Sequence, residues 1–124
     1  MKKIIFLCFA LFLSSNAYSE TVSISVKSSN SNIKLSIETA LKELLDKLDS
    51  YEVTSSSSAS IDIKLVALVI KGKGESDGDI KGVSLAYVIT KNNVLQDFNH
   101  MLIQYKNIEN KIKKEIKKAI KRIE

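Results

Sequence analysis

The residues predict an α+β fold: a two-layer sandwich with a mostly antiparallel sheet and two helices on one face. Three observations predict it. Thr21 to Lys27 alternates apolar and polar residues, as does Val83 to Thr90. Ile33 to Leu48 repeats its apolar residues at helical spacing. Lys106 to Ile123 does the same, with lysines filling the rest of the wheel. Periods of 2.0 and 3.6 separate strands from helices because they set which way successive side chains point.

In the first strand Val22, Ile24 and Val26 share one face, and Thr21, Ser23 and Ser25 the other. Ser28 to Asn32 is a polar loop rich in residues that cap helices. The helix that follows places Ile33, Ile37, Ala40, Leu41, Leu44, Leu45 and Leu48 on one side. Glu38–Lys42 and Glu43–Lys47 are pairs four apart in the favourable order. Tyr51 to Thr54 reads as a short edge strand and Ser55 to Ser60 as a serine-rich connector.

Ile61 to Ile70 is the longest candidate strand. Ile61, Ile63, Leu65, Ala67 and Val69 form one face, while the other begins polar at Asp62 and Lys64 and turns apolar at Val66, Leu68 and Ile70. Such a pattern reads as a strand that starts exposed on one side and becomes covered on both. Residues 71–79 form a loop before the strand of Val83 to Thr90. Val94 to Tyr105 admits two readings. A helix capped by Asn93 would align Val94, Phe98, Met101 and Tyr105, and periodicity favours it slightly. A hairpin turning at Lys91 to Asn93 would place Val94, Phe98 and Leu102 on one face of a strand. The final helix buries Ile108, Ile112, Ile116, Ala119, Ile120 and Ile123, with Lys111 and Arg122 among the residues filling the remainder.

Two helices cannot cover both faces of a four- or five-strand sheet. The more apolar face, with Ile61, Ile63, Leu65, Val83, Leu85, Tyr87 and Ile89, is expected beneath them. Val66, Leu68, Ile70 and Val88 then lie on the opposite face as a candidate partner-binding patch, ringed by Asp62, Lys64, Ser84 and Thr90. The alternative is that residues 91–105 fold over it.

The first 19 residues read as a cleavable secretory signal. Lys2 and Lys3 precede an apolar run, Ile4 to Leu13, too short to span a bilayer, and Ala17-Tyr18-Ser19 places small residues where a signal peptidase reads. The cut is expected before Glu20, leaving residues 20–124 as a single periplasmic or secreted domain. Cys8, the one cysteine of the chain, lies inside the apolar run, so no lipoprotein is expected and the mature chain has no thiol. The net charge of +5 falls to +3 without Lys2 and Lys3. A basic tail accounts for it, and Lys113, Lys114, Lys117, Lys118 and Lys121 form a candidate basic surface.

Catalytic constellations are missing. His100 is the only histidine, which argues against a zinc site, and no Gly-x-Ser-x-Gly accompanies it. Glu75, Asp77 and Asp79 alternate in a loop, but Ile80 stands where an EF-hand needs glycine. Gly72-x-Gly74 precedes no helix and is no phosphate cradle. No cofactor and no metal are expected. Export and the lack of aromatic residues among the lysines argue against nucleic acid.

The order strand, helix, Tyr51-Glu52-Val53, Ile61-Asp62-Ile63-Lys64-Leu65, Val83-Ser84-Leu85-Ala86-Tyr87-Val88-Ile89 and basic helix resembles a known group. It is similar to the small envelope α/β domain of the TolB amino-terminal region and of CsgG- and LpoB-type lipoproteins. That resemblance implies a strand at Val94 to Tyr105 and a protein-docking module with no catalysis of its own. The expected function is an exported accessory protein that binds another envelope or secretion component, as a monomer or a dimer. The alternative is a secreted cationic protein acting at membranes or anionic surfaces.

Overall fold

Strict alternation makes the first strand amphipathic, and burial follows the alternation. β1 (Glu20–Ser28) buries Val22 and Val26 and turns Ser25 and Lys27 outward. The computed structural model describes residues 20–55, 58–71 and 80–124. The expected leader, part of the serine run, and the loop with Gly72, Gly74, Glu75, Asp77 and Asp79 lie outside those residues.

Asn30 ends the turn after β1 and starts a helix. Its Oδ1 accepts the Ile33 N–H at 3.0 Å, satisfying one of the amides a helix start leaves without a partner. α1 (Ser31–Asp46) then buries Ile33, Ile37, Ala40, Leu41, Leu44 and Leu45, the stripe that the spacing predicts. After it come β2 (Tyr51–Val53), β3 (Ile61–Lys71), β4 (Ile80–Lys91) and β5 (Val94–Gln104). A single 3-10 turn, Tyr105–Asn107, leads into α2 (Ile108–Ile123).

The five strands form one sheet in the order β2-β1-β3-β4-β5. β1 pairs parallel with β2 and with β3, because α1 carries the chain back across the sheet between them. The two remaining ladders, β3 with β4 and β4 with β5, are antiparallel and are the long ones. α1 and α2 pack on one face, so the two-layer α+β sandwich is as the sequence predicts. The core joins Val22 and Val26 of β1, Ile61, Ile63, Leu65 and Ala67 of β3 and Val83, Leu85, Tyr87 and Ile89 of β4 to both helices.

Of the two readings of Val94 to Tyr105, the hairpin strand holds and the helix that periodicity slightly favours does not form. Asn92 and Asn93 both take positive φ, 51° and 66°. Two successive left-handed residues make a turn whose twist matches that of paired strands, and asparagine tolerates this conformation better than most residues. Asn93 therefore serves the hairpin and not a helix cap. β5 also satisfies the backbone of β4, which a helix would leave open.

A bulge falls at Gln96: Thr90 faces Leu95, yet Ile89 faces Asp97. One extra residue reverses the alternation, so Val94 and Phe98 lie on opposite faces and do not share one as a regular hairpin would have it.

Candidate functional site

The face of the sheet away from the helices divides into two halves. On β1 it is polar: Thr21, Ser23, Ser25 and Lys27, with Ser23 Oγ donating a hydrogen bond to Asp62 on β3. On β3, β4 and β5 apolar side chains predominate, with Lys64, Ser84 and His100 among them. Register places Lys64, Val88 and Phe98 in one cross-strand row, Val66, Ala86 and His100 in the next, and Leu68, Ser84 and Leu102 in the third.

All four residues of the candidate patch, Val66, Leu68, Ile70 and Val88, stand on this half and are exposed, Leu68 by 60% and Val88 by 39%. The covering expected from the apolar end of β3 does not occur among the described residues. Residues 94–104 lie beside β4 and not over it, because they complete its hydrogen-bonding ladder.

β5 enlarges the patch. Phe98 and Leu102, exposed by 67% and 69%, adjoin Val88 and Ser84, and Leu95 adds to them near the hairpin. Phe98 and Leu102 share a face in the hairpin reading of the sequence, whereas Leu95 joins them only through the bulge at Gln96. Asn92-Asn93 between two runs of apolar residues is the signal for that hairpin.

Ser84 Oγ and His100 Nε2 lie 2.6 Å apart across β4 and β5. That spacing suits a nucleophile and its base. Among the described residues no carboxylate orients the ring: the other hydrogen bond of His100 runs from its backbone N–H to Asn99 Oδ1. Both side chains stand on an open sheet surface. No group of three or more metal-ligating side chains occurs among the described residues.

The candidate basic surface is only partly a surface. Lys113 donates to Glu43 Oε2 at 2.6 Å and ties α2 to α1. That ammonium holds the Glu43 carboxyl below its ordinary value. Lys118 lies 3.7 Å from Glu115, and Lys111 lies 3.3 Å from the same carboxylate. Lys114, Lys117, Lys118 and Lys121 are exposed. Beneath them Ile108, Ile112, Ile116, Ala119 and Ile120 are buried in the core, so the apolar stripe of α2 is spent on the fold. No helix among the described residues is long and apolar enough to cross a membrane.

A further cluster joins α2 to the hairpin. Tyr87 donates to Asp97 Oδ2 at 3.2 Å, and Arg122 Nη2 donates to the same oxygen at 2.7 Å and to the Tyr87 hydroxyl at 3.3 Å. Burial, reinforced by the Asp97 carboxylate, pushes the Tyr87 phenol up. The hydrogen bond to Asp97 raises the Arg122 guanidinium further.

No protein-family model matches the chain, and no curated protein matches it. Among solved structures it is similar to a PelC dodecamer from Paraburkholderia phytofirmans. The TM-score is 0.53 and the identity 10%, over 85% of this chain and 86% of that one. A crystal structure of an uncharacterized protein is 14% identical over 83% of this chain and 85% of that one, with a TM-score of 0.36. At these identities the likeness to PelC concerns the fold.

Proposed function

We propose that this protein is an exported accessory domain of the cell envelope, without catalysis of its own, that docks another envelope or secretion component on its bare sheet face. The observation that carries the reading is the apolar half of that face. Val66, Leu68, Val88, Phe98 and Leu102 stand on three adjacent strands, all exposed, with Ser84 and His100 between Leu102 and the others. Contiguous apolar surface rimmed by polar groups marks contact sites on soluble domains, because removing it from water yields about 25 cal/mol per Å². The rim here is Asp62, Lys64 and Thr90 toward the hairpin and Lys27 toward β1. The envelope setting rests on the leader-like residues 1–19.

Leu68→Lys and Val88→Lys test the docking face. Both side chains already meet solvent, so each variant is expected to fold with stability within about 0.5 kcal/mol of the parent. Each is also expected to lose the partner that the parent captures from a native periplasmic extract. Unfolding of both variants, or undiminished capture, would remove the face from consideration. Intact mass of the exported protein tests the setting: a chain beginning at Glu20 is expected, and a retained leader or an added lipid would contradict it. Salt-dependent binding to anionic vesicles that vanished on charge reversal at Lys117 and Lys121 would replace protein docking by a membrane-surface role.

A further inference from the structure

We propose that β5 is a self-pairing edge: two copies of this chain join β5 to β5, antiparallel, about a two-fold axis at His100, into one continuous sheet. The two edges of the sheet differ. β2 is three residues long, whereas β5 is eleven. Edges that stay unpaired are usually shortened or bulged, or carry lysine, proline or an inward-pointing charge. β5, Val-Leu-Gln-Asp-Phe-Asn-His-Met-Leu-Ile-Gln, has no lysine and no proline. Its one acidic residue, Asp97, is turned toward α2 and held by Arg122 at 2.7 Å. The bulge at Gln96 sits near the hairpin and leaves Asp97 to Gln104 in regular register.

The backbone of β5 shows which groups face outward. The His100 N–H is accepted by Asn99 Oδ1 at 2.8 Å, its own neighbour, where a strand partner would otherwise stand. Alternation in an antiparallel ladder gives Phe98 and Leu102 the same outward orientation. A second β5 exchanges the Asn99 bond for an inter-strand one and adds bonds at those two positions.

Register selects a second copy over an unrelated strand. An axis at His100 lies at the middle of the regular run and gives the greatest overlap. It also sets Phe98 of each copy opposite Leu102 of the other, an aromatic–aliphatic pair made twice on the outer face. An axis at Phe98 would bring His100 against the bulged Gln96. An axis at Leu102 would carry Phe98 past the strand end, opposite Lys106. A closed two-fold pairing of one strand with itself is isologous, the commonest form of self-association. Charge does not oppose it at close range. Lys111, Glu115, Lys118 and Arg122 lie along the stripe of α2 whose Arg122 reaches β5, and each is paired within its own chain.

This pairing uses the backbone edge of β5 and shares Phe98 and Leu102 with the docking face, so the two are told apart at Leu68 and Val88, which lie off β5. Sedimentation of the protein purified after expression of the full chain tests it. A species of twice the monomer mass that dissociates on dilution is expected. His100→Lys sets two ammonium groups at the axis and should weaken association more than about tenfold. His100→Asp should do the same, and an equimolar mixture of the two variants should restore the two-copy species. Leu102→Pro removes an outward donor and leaves the β4 ladder whole, so it should give a folded monomer by circular dichroism. A monomeric parent overturns the proposal. An oligomer that survives His100→Lys, or two charge variants that do not combine, overturns it equally. Leu68→Lys and Val88→Lys lie off β5, so partner capture and self-pairing can each fail while the other stands.

Discussion

Arg122 near the end of α2 and Asp97 on β5 form an ion pair at 2.7 Å, and this pair joins the last helix to the last strand. The same Asp97 oxygen accepts the Tyr87 hydroxyl at 3.2 Å. Asp97→Ala removes both bonds and leaves the hydroxyl of a buried tyrosine short of an acceptor. A loss of about 1–2 kcal/mol in urea unfolding is expected. Arg122→Ala removes only the solvent-facing partner and should cost less. Equal losses in the two variants would show that Tyr87 does not depend on Asp97.

The apolar stripe of α2 should matter far more than its lysines. Ile112 and Ile116 are fully buried, and truncating either to alanine should cost about 2–5 kcal/mol. Charge reversal at the exposed Lys117 or Lys121 should stay within about 0.5 kcal/mol. Thermal melts of the four variants separate the two classes. Unchanged melting for Ile112→Ala and Ile116→Ala would mean that the helix is not docked in solution.

Gly82 is required by the close approach of β5. A Cβ there would stand 2.8 Å from the Ile103 carbonyl oxygen, which is backbone and cannot swing aside. Gly82→Ala should therefore destabilise by about 1–3 kcal/mol. Chemical denaturation gives the value directly. A neutral effect would require β5 to shift away from β4, which hydrogen exchange along Leu102 to Gln104 would reveal.

Tyr51 makes the fold alkali-sensitive. Its hydroxyl donates to Glu124 Oε1 at 2.9 Å. Burial first, and that carboxylate second, push its pKa up from 10.0 to about 12. The folded chain thus holds the proton more tightly than the unfolded one. This contribution is whole below pH 10 and is lost as pH rises toward 12. Tyr51→Phe should show a shallower fall of stability across that window than the parent, measured by unfolding at each pH. Parallel curves for the two would contradict the shift.

Some elements are determined by the residues themselves. The stripe from Ile33 to Leu45, the stripe from Ile108 to Ile120 and the alternation of β1 each hold one period over a whole element. Side-chain direction follows from that period alone, so burial of one face is implied before any partner is known. Residues 94–104 carry two periods at once: Val94, Phe98 and Met101 suit a helix, and the same chain suits a hairpin strand. The decision belongs to β4, whose open backbone needs a ladder, and to the left-handed pair Asn92-Asn93. The apolar character of Val66, Leu68, Ile70 and Val88 likewise says nothing of which side of a sheet stays bare. They meet solvent because both helices settle on one face and β5 extends the sheet sideways. Tyr87, Asp97 and Arg122 have no local signal at all. The bulge at Gln96 turns Asp97 toward the helix layer, and only the packing of α2 brings Arg122 to it, since contacts between residues so far apart in sequence arise from tertiary geometry.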